Sequence, residues 1–494
     1  MSNASNSYKS ILKGSVLFGG VQVFNILINL IRGKLIALLL GPEGMGISSL
    51  LSASANTIQQ FSGFGLNLSS VKELSEAKEK DNVLQIQTII VTVRRLLFLT
   101  ALIGSLFSIF FCGWLSEWTF GNAAYKWHFA FLSLMIFFTT LSNGELSILQ
   151  GLHAIKKLAL ASIIGSSIGL FIGVPLYYFY GYNGIVPAMI VLSLATFLFY
   201  RYHSYQLVKI PNLKRDWRKM FPLAKKMISL GIIMMIATLL GTFTNYMVNT
   251  FIGKTGSLND VGLFQAANSI TNQYIGLVFT AMGMDFFPRL SAVSSDTQKI
   301  RELVNQQTEI VILISIPLAI LLIITAPLLI KILLTDQFLT LVPVIRWMGL
   351  GIAFKAIAFP MGYISFAKGD KRTFFWLEGI WGNVLMLCLN ITFYYYWGVY
   401  GLGVSFAILY IISCLLYKVL TCSLYHFTHN FQTILLSAKA LILLIICFGI
   451  SFINNVYISY GGMIIIGIIS TFFSAFELEK RTNFCMKIIK RKTK

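Results

Sequence analysis

Apolar runs, each long enough to cross a bilayer, follow one another along nearly the whole of this 494-residue chain. A crossing helix needs roughly 20 predominantly apolar residues. Hydrophobic residues make up 56% of the sequence, which supplies about fourteen such crossings and leaves little for a soluble domain. Charged residues are 12%, half the share of about 25% found in soluble domains. In hydrocarbon a backbone must satisfy its own hydrogen bonds, so the expected fold is all-α and polytopic. The expected crossings lie near 14–40, 43–70, 85–112, 123–150, 157–180, 184–207, 223–252, 260–288, 303–333, 339–367, 372–397, 400–424, 434–454 and 457–476. Pro175, Pro187, Pro317, Pro327, Pro343 and Pro360 are candidate kinks, and Gly165, Gly169 and Gly173 give one helix a small-residue face for close packing.

The net charge of +21 has to be read by position. Basic residues collect on the cytoplasmic side of membrane proteins. With the N-terminus inside, 32 of the 39 Lys and Arg fall on cytoplasmic segments, Arg94, Arg95 and Arg201 among them, and 3 fall outside. That asymmetry predicts both termini in the cytoplasm and accounts for the charge without a nucleic-acid partner. The six cysteines form no CxxC pair, and neither a disulfide framework nor a zinc site is expected. The N-terminal apolar run has no cleavage site and reads as a retained helix.

The longest inner connection is basic and Pro-bearing. It divides the chain into a six-helix lobe at 1–208, a cytoplasmic linker at 209–222, a second six-helix lobe at 223–424, and two extra helices with a basic cytoplasmic tail at 425–494. The lobes are expected to be pseudo-symmetric around a central cavity. An internal repeat supports the division: an offset of 216 sets Gly46 on Gly262, Asn29 on Asn245 and Asn56 on Asn272. Chance similarity between Leu-, Ser- and Gly-rich helices is the alternative.

No enzyme motif survives. FIGKTG at Phe251 lacks the first glycine of a phosphate loop, and the outer loops are too short to carry a catalytic site. His426 and His429 can be paired as metal ligands, but a solvated loop is the expected reading. What remains is charge within the membrane, which costs at least ~2.5–3.5 kcal/mol at a helix centre and marks function by default. Lys355 is the deepest; Arg32, Lys34 and Arg346 are shallower and can instead snorkel to the outer headgroups. Glu145 and Glu378 can pair with these bases or take up a coupling ion, and Glu309 is expected to pair with Arg289 or Arg301. Asn29, Asn245 and Asn249 are polar candidates for the cavity wall. A basic interior favours an anionic cargo, since Arg grips phosphate with two bonds and Lys supplies a point charge.

IRGKLIALLLGPEGMGISSL (Ile31 to Leu50), DVGLFQAANSI (Asp260 to Ile270), FFPRLSAV (Phe286 to Val293) and the Ala326-Pro327 turn resemble polysaccharide flippases of the Wzx type, within the multidrug/oligosaccharidyl-lipid/polysaccharide exporter superfamily. The resemblance implies alternating access between two six-helix lobes in a bacterial inner membrane. It implies an undecaprenyl-pyrophosphate-linked oligosaccharide, such as an O-antigen repeat, as cargo. Arg32 matches that family's first-helix arginine; Lys34, Arg346 and Lys355 rest on burial alone. It implies no cofactor beyond a possible proton or sodium gradient, a monomer, and a polysaccharide polymerase and glycosyltransferases as partners. Fourteen helices resemble the lipid II flippases instead, and that cargo stays open. A cation-coupled multidrug exporter would want acids in the cavity, and a membrane polymerase or ligase would want a catalytic outer loop.

Overall fold

The computed structural model describes residues 2–207 and 217–482. Within them every regular element is a helix. Among the described residues nine helical stretches are long and apolar enough to cross a membrane, or ten if a bent pair at Met220–Ile236 and Thr238–Thr255 counts as one span. This is a multi-pass membrane protein. The linker at 208–216 and the tail at 483–494 lie outside the described residues.

The chain forms two compact units, Met1–Gly262 and Leu263–Lys494. The first opens with α1 (Ser2–Ser62), which breaks at Gly41. There φ is 66° and ψ is −168°, a region that side chains other than glycine's scarcely enter. Pro42 follows, where a new helix start leaves no amide partner to lose. Next come α2 (Leu66–Glu79), α3 (Val83–Phe110), α4 (Cys112–Phe120), α5 (Lys126–Gly151), α6 (Ile155–Tyr180), α7 (Ile185–Tyr205) and α8 (Trp217–Thr255). Residues 113–122, expected as an outer loop, are mostly the short helix α4. The last six residues of the expected linker are already the first turns of α8.

Glycine sets the helix crossings of this unit. A Cβ added at Gly165 would lie 3.0 Å from Thr196 Cα, one at Gly169 would lie 3.1 Å from Leu192 Cα, and one at Gly173 would lie 3.5 Å from Ala188 Cβ. Steps of four up α6 meet steps of four down α7, so the small-residue face read from the sequence is the seam of an antiparallel hairpin. α8 packs on this unit too. Gly65 and Gly231 meet backbone to backbone, and Lys226 Nζ reaches buried Glu73 at 2.8 Å.

The 216-residue repeat has a direct counterpart in space. A Cβ at Gly46 would lie 1.9 Å from the carbonyl oxygen of Leu258, and a Cβ at Gly262 would lie 1.8 Å from that of Pro42. Position 42 plus 216 is 258, and 46 plus 216 is 262. The two copies of the motif touch reciprocally, as a two-fold relation between these segments requires.

The second unit takes up α9 (Leu258–Ala292) after its first turn, then α10 (Thr297–Leu333), α11 (Val342–Ala367), α12 (Lys371–Phe374), a π-helical stretch (Phe375–Trp381), α13 (Gly382–Tyr425), α14 (Phe431–Ile450) and α15 (Val456–Thr482). α13 breaks at Gly398, with φ 58° and ψ −145°, and folds back so that Ser405 Oγ donates to Asn390 Oδ1 at 2.7 Å. Pro343 is not a kink: it stands at the start of α11, and Pro187 likewise in the first turn of α7, where a missing N–H costs nothing. Ile312, Ile316, Ile320 and Ile323 of α10 are fully buried. α14 and α15 pack against α10 and are tied there by charge. Arg481 Nε meets Glu309 Oε2 at 2.7 Å, and Thr433 Oγ1 donates to Glu309 Oε1 at 2.7 Å. Glu309 therefore pairs with the last helix, not with Arg289 or Arg301. The expectation failed because sequence neighbourhood does not show which distant helix lies alongside.

The connection between α13 and α14 is only partly solvated. His426 is exposed, while His429 is half-buried and its Nδ1 lies 3.1 Å from Asn305 Oδ1. Its Nε2 is buried without a hydrogen-bond partner among the described residues. Burial, and then the charge of Lys418, pull its pKa down to about 4. The unfolded chain therefore binds a proton at His429 that the native one refuses. This lowers stability as pH falls from ~6.5 to ~4 and not above that window. The Asp370 carboxyl, held below its ordinary value first by the Thr373 hydroxyl and amide and then by Tyr425, loses its contribution only at lower pH.

Two outcomes are expected. His429→Gln flattens the fall of the thermal midpoint in detergent between pH 6.5 and 4.5; a slope equal to that of the unaltered chain would contradict the buried, neutral imidazole. Gly262→Val and Gly46→Val each lower the midpoint by several degrees, because an added side chain meets a carbonyl that the helix cannot move cheaply.

Candidate functional site

Lys355 lies in the second unit, fourteen residues into α11. Its Nζ stands 5.2 Å from the ring centre of Phe279 and 5.1 Å from that of Tyr410. Among the described residues no carboxylate lies within ion-pair reach of it. The two aromatic faces stabilise the ammonium where water is scarce. Lys355 borders a cavity of about 510 Å³, which continues past Phe359, Tyr363, Asn383, Tyr410, Ser413 and Tyr417. One positive charge, several hydroxyls and aromatic walls suit an anionic headgroup.

Arg346 is nine residues earlier on α11, or two and a half turns, so it points from the opposite face. Its Nη1 donates to the Ser451 carbonyl at 2.9 Å, at the end of α14, where a cation complements the helix dipole. It does not border the Lys355 cavity. The backbone of Glu378 belongs to the π-helical stretch, and its side chain lies outside the described residues.

In the first unit Arg32 is half-buried, close enough to the buried Tyr177 for its charge to act on that hydroxyl. Lys34 is half-buried and already engaged. Asn29 is exposed. One turn before it Asn25 donates to Ser162 Oγ at 2.9 Å and locks α1 to α6. Asn249 is buried and donates to the exposed Asn245 at 2.8 Å, leaving its own Oδ1 without a partner among the described residues.

Glu145, unlike Glu378, has defined partners. It is 2% exposed and joins two guanidiniums. Arg94 Nε and Nη2 each reach it at 2.9 Å, and Arg201 Nη1 reaches it at 2.7 Å. Tyr205 lies under both arginines, at 4.3 Å and 4.7 Å from ring to guanidinium carbon. The expected bases, Arg32 and Lys355, are not its partners. Arg94, Arg95 and Arg201, counted with the cytoplasmic segments in the charge asymmetry, stand within the helices α3 and α7 and border a cavity of about 790 Å³. The clue was present, since α3 carries an Arg pair eleven residues into an apolar run and α5 carries a lone Glu.

A further cavity of the first unit, about 360 Å³, carries no charge. Asn56, Gln59, Gln60, Asn67, Thr139 and Asn143 surround it, and Gln59 Nε2 is buried with no partner among the described residues. Amides and hydroxyls in this density match a polyhydroxylated ligand. Sequence reading noticed Asn56 as a repeat position and missed the rest. Among the described residues no three His, Cys, Asp or Glu side chains gather into a metal set.

A family model described as polysaccharide biosynthesis protein matches residues 35–343. The lipid III flippase of Escherichia coli (strain K12) is 22% identical over 384 residues, covering 76% of this chain and 90% of that protein. The lipid III flippase of Shigella flexneri matches to the same extent. The fold is similar to that of a solved structure, the lipid II flippase MurJ in its inward closed conformation, with a TM-score of 0.71 at 19% identity over 94% of this chain and 99% of that one. It is likewise similar to an inward-facing multidrug resistance MATE family transporter of the MOP superfamily, with a TM-score of 0.69 at 16% identity over 81% and 94% of the two chains. These four relatives are flippases or transporters.

Removing the charge of Glu145 leaves two guanidiniums uncompensated in a poorly hydrated place. Breaking such a buried pair costs about 3–5 kcal/mol, somewhat less here because Arg201 is 38% exposed. Glu145→Gln is expected to lower the thermal midpoint, and Glu145→Gln combined with Arg201→Gln to recover part of it. If the single variant melts with the unaltered chain, the triad is not a structural tie.

Proposed function

This chain belongs to the polysaccharide biosynthesis protein family, and from that premise we propose that it is a flippase for a lipid-linked saccharide. The cargo is an undecaprenyl-pyrophosphate-linked oligosaccharide of the O-antigen type. It moves by alternating access from the cytoplasmic to the outer leaflet of a bacterial inner membrane. The observation that carries the reading is Lys355: an ammonium within a membrane helix, without a carboxylate partner among the described residues, on the wall of a roomy cavity. A charge kept at such a cost has a task, and pairing a phosphate oxygen is one it can perform.

Other residues follow the same logic. Arg32 and Lys34 supply positive charge along the first helix, and Arg346 steadies α14 while remaining a candidate for the cargo. The uncharged amide cavity, with Asn245 and Asn249 on the same unit, is suited to sugar hydroxyls. With the cell interior negative, outward movement of an anion is favoured by about 2.3 kcal/mol per charge per 100 mV, so export needs no ATP; a proton or sodium gradient is left to return the empty carrier. Fourteen crossings follow if the arms on either side of Gly41 and of Gly398 each span, α6 and α7 count separately, and α8 and α9 each span too, with six-helix lobes at 1–208 and 223–424 and both termini in the cytoplasm. A lipid II-type precursor shares the pyrophosphate and remains the sibling reading. A multidrug cation exporter is disfavoured, because the cavity of Lys355 carries a base where a cationic drug would need an acid.

In a strain dependent on this chain, Lys355→Ala and Arg32→Ala are expected to cut surface-polysaccharide output about tenfold, the loss of one charge-assisted bond, at unchanged protein abundance. Lys355→Arg keeps more activity than Lys355→Ala. Normal export by both alanine variants overturns the cationic-cavity account, and a block in peptidoglycan assembly with intact polysaccharide assigns the lipid II cargo.

A further inference from the structure

The Arg94–Glu145–Arg201 cluster does more than tie helices together. The geometry points to a binding site for an anionic phospholipid of the surrounding bilayer, with its phosphodiester against the guanidiniums and its acyl chains along the aromatic wall of the same cavity.

Charge comes first. Among the described residues, the guanidiniums of Arg94, Arg95 and Arg201 border this cavity together with one carboxylate, that of Glu145. Glu145 is shared by Arg94 and Arg201 and sets one negative charge against their two positive ones. Arg94 Nη1 is buried and has no hydrogen-bond partner among the described residues, although its Nε and Nη2 are both satisfied. A buried donor of this strength calls for an acceptor, and an anion fits.

Depth comes second. Arg201 is one turn from the end of α7, and Glu145 is less than two turns from the end of α5. Both helices end on the same side, because a salt bridge joins them there. The cluster thus sits where headgroups meet hydrocarbon. From it the cavity runs on past Phe98, Phe137, Phe138 and Leu141, and Phe98 is exposed, so the aromatic wall is open to the surroundings. A cationic end at headgroup depth that continues into an aromatic groove has the polarity of a phospholipid, whereas a free anion would use only half of it. The site rests on residues of the first unit alone and stands whatever the cargo is.

The test uses the full chain in neutral detergent, with phosphatidylglycerol, phosphatidylethanolamine or inorganic phosphate added. Native mass spectrometry and the thermal midpoint are read together. Phosphatidylglycerol is expected to raise the midpoint by several degrees and to be retained about tenfold more than phosphatidylethanolamine, with the advantage falling at high salt. Arg95→Gln with Arg201→Gln removes most of that preference. Phe138→Trp crowds the groove without touching a charge, and it reduces retention even if the double variant fails to fold. Equal retention of both lipids overturns the proposal. So does inorganic phosphate reproducing the full shift, which marks a free-anion site, or displacement by undecaprenyl pyrophosphate, which gives the site to the cargo.

Discussion

A bilayer offers the backbone no water, and every N–H and C=O that crosses it must be satisfied within the protein. Helices follow from that, but the same solvent takes away the hydrophobic drive that brings helices together in water. Something else must decide which helix lies against which. In this chain it is the absence of side chains. Gly46 against the Leu258 carbonyl, Gly262 against that of Pro42, and Gly65 against Gly231 are contacts in which even a methyl group would collide with backbone. At such separations dispersion and weak Cα–H···O contacts act over the whole crossing.

Charge is the second organiser, and it is used sparingly. Buried or half-buried acids are matched with bases from distant parts of the chain: Glu145 with Arg94 and Arg201, Glu73 with Lys226, Glu309 with Arg481. Each match joins helices that are far apart in sequence, and a wrong helix order would strand a charge in a poor solvent. Against this background Lys355 stands out, because aromatic faces take the place of a carboxylate. The contrast separates charges matched by carboxylates from one held between aromatic rings beside a cavity.

Polar uncharged groups make a third class. The helices α1 and α5 are apolar enough to cross a membrane, yet amides and hydroxyls from them, from α2 and from α8 gather around one cavity. Burying amides costs free energy unless they find partners, and Gln59 Nε2 has none among the described residues. The first unit thus holds two cavities of different chemistry, one cationic and aromatic and the other amide-lined, with Leu97 bordering both.

The sequence by itself determined the all-helical, membrane-spanning class, because hydrocarbon selects against every other pattern when apolar runs are this long and charges this few. It also carried the glycine face of α6, which depends on spacing along one helix, and the likeness that sets Gly46 on Gly262, which depends on comparing two stretches of the same chain. Partner choice was not legible there. That Glu145 is claimed by Arg94 and Arg201, that Glu309 reaches Arg481, that Arg346 turns to the end of α14, and that His429 is half-buried against Asn305 were decided only by the tertiary structure. The physical reason is that a one-dimensional pattern fixes which face of a helix a residue occupies, while pairing needs the rotation and height of a second helix, set by packing contacts with residues far away in the chain.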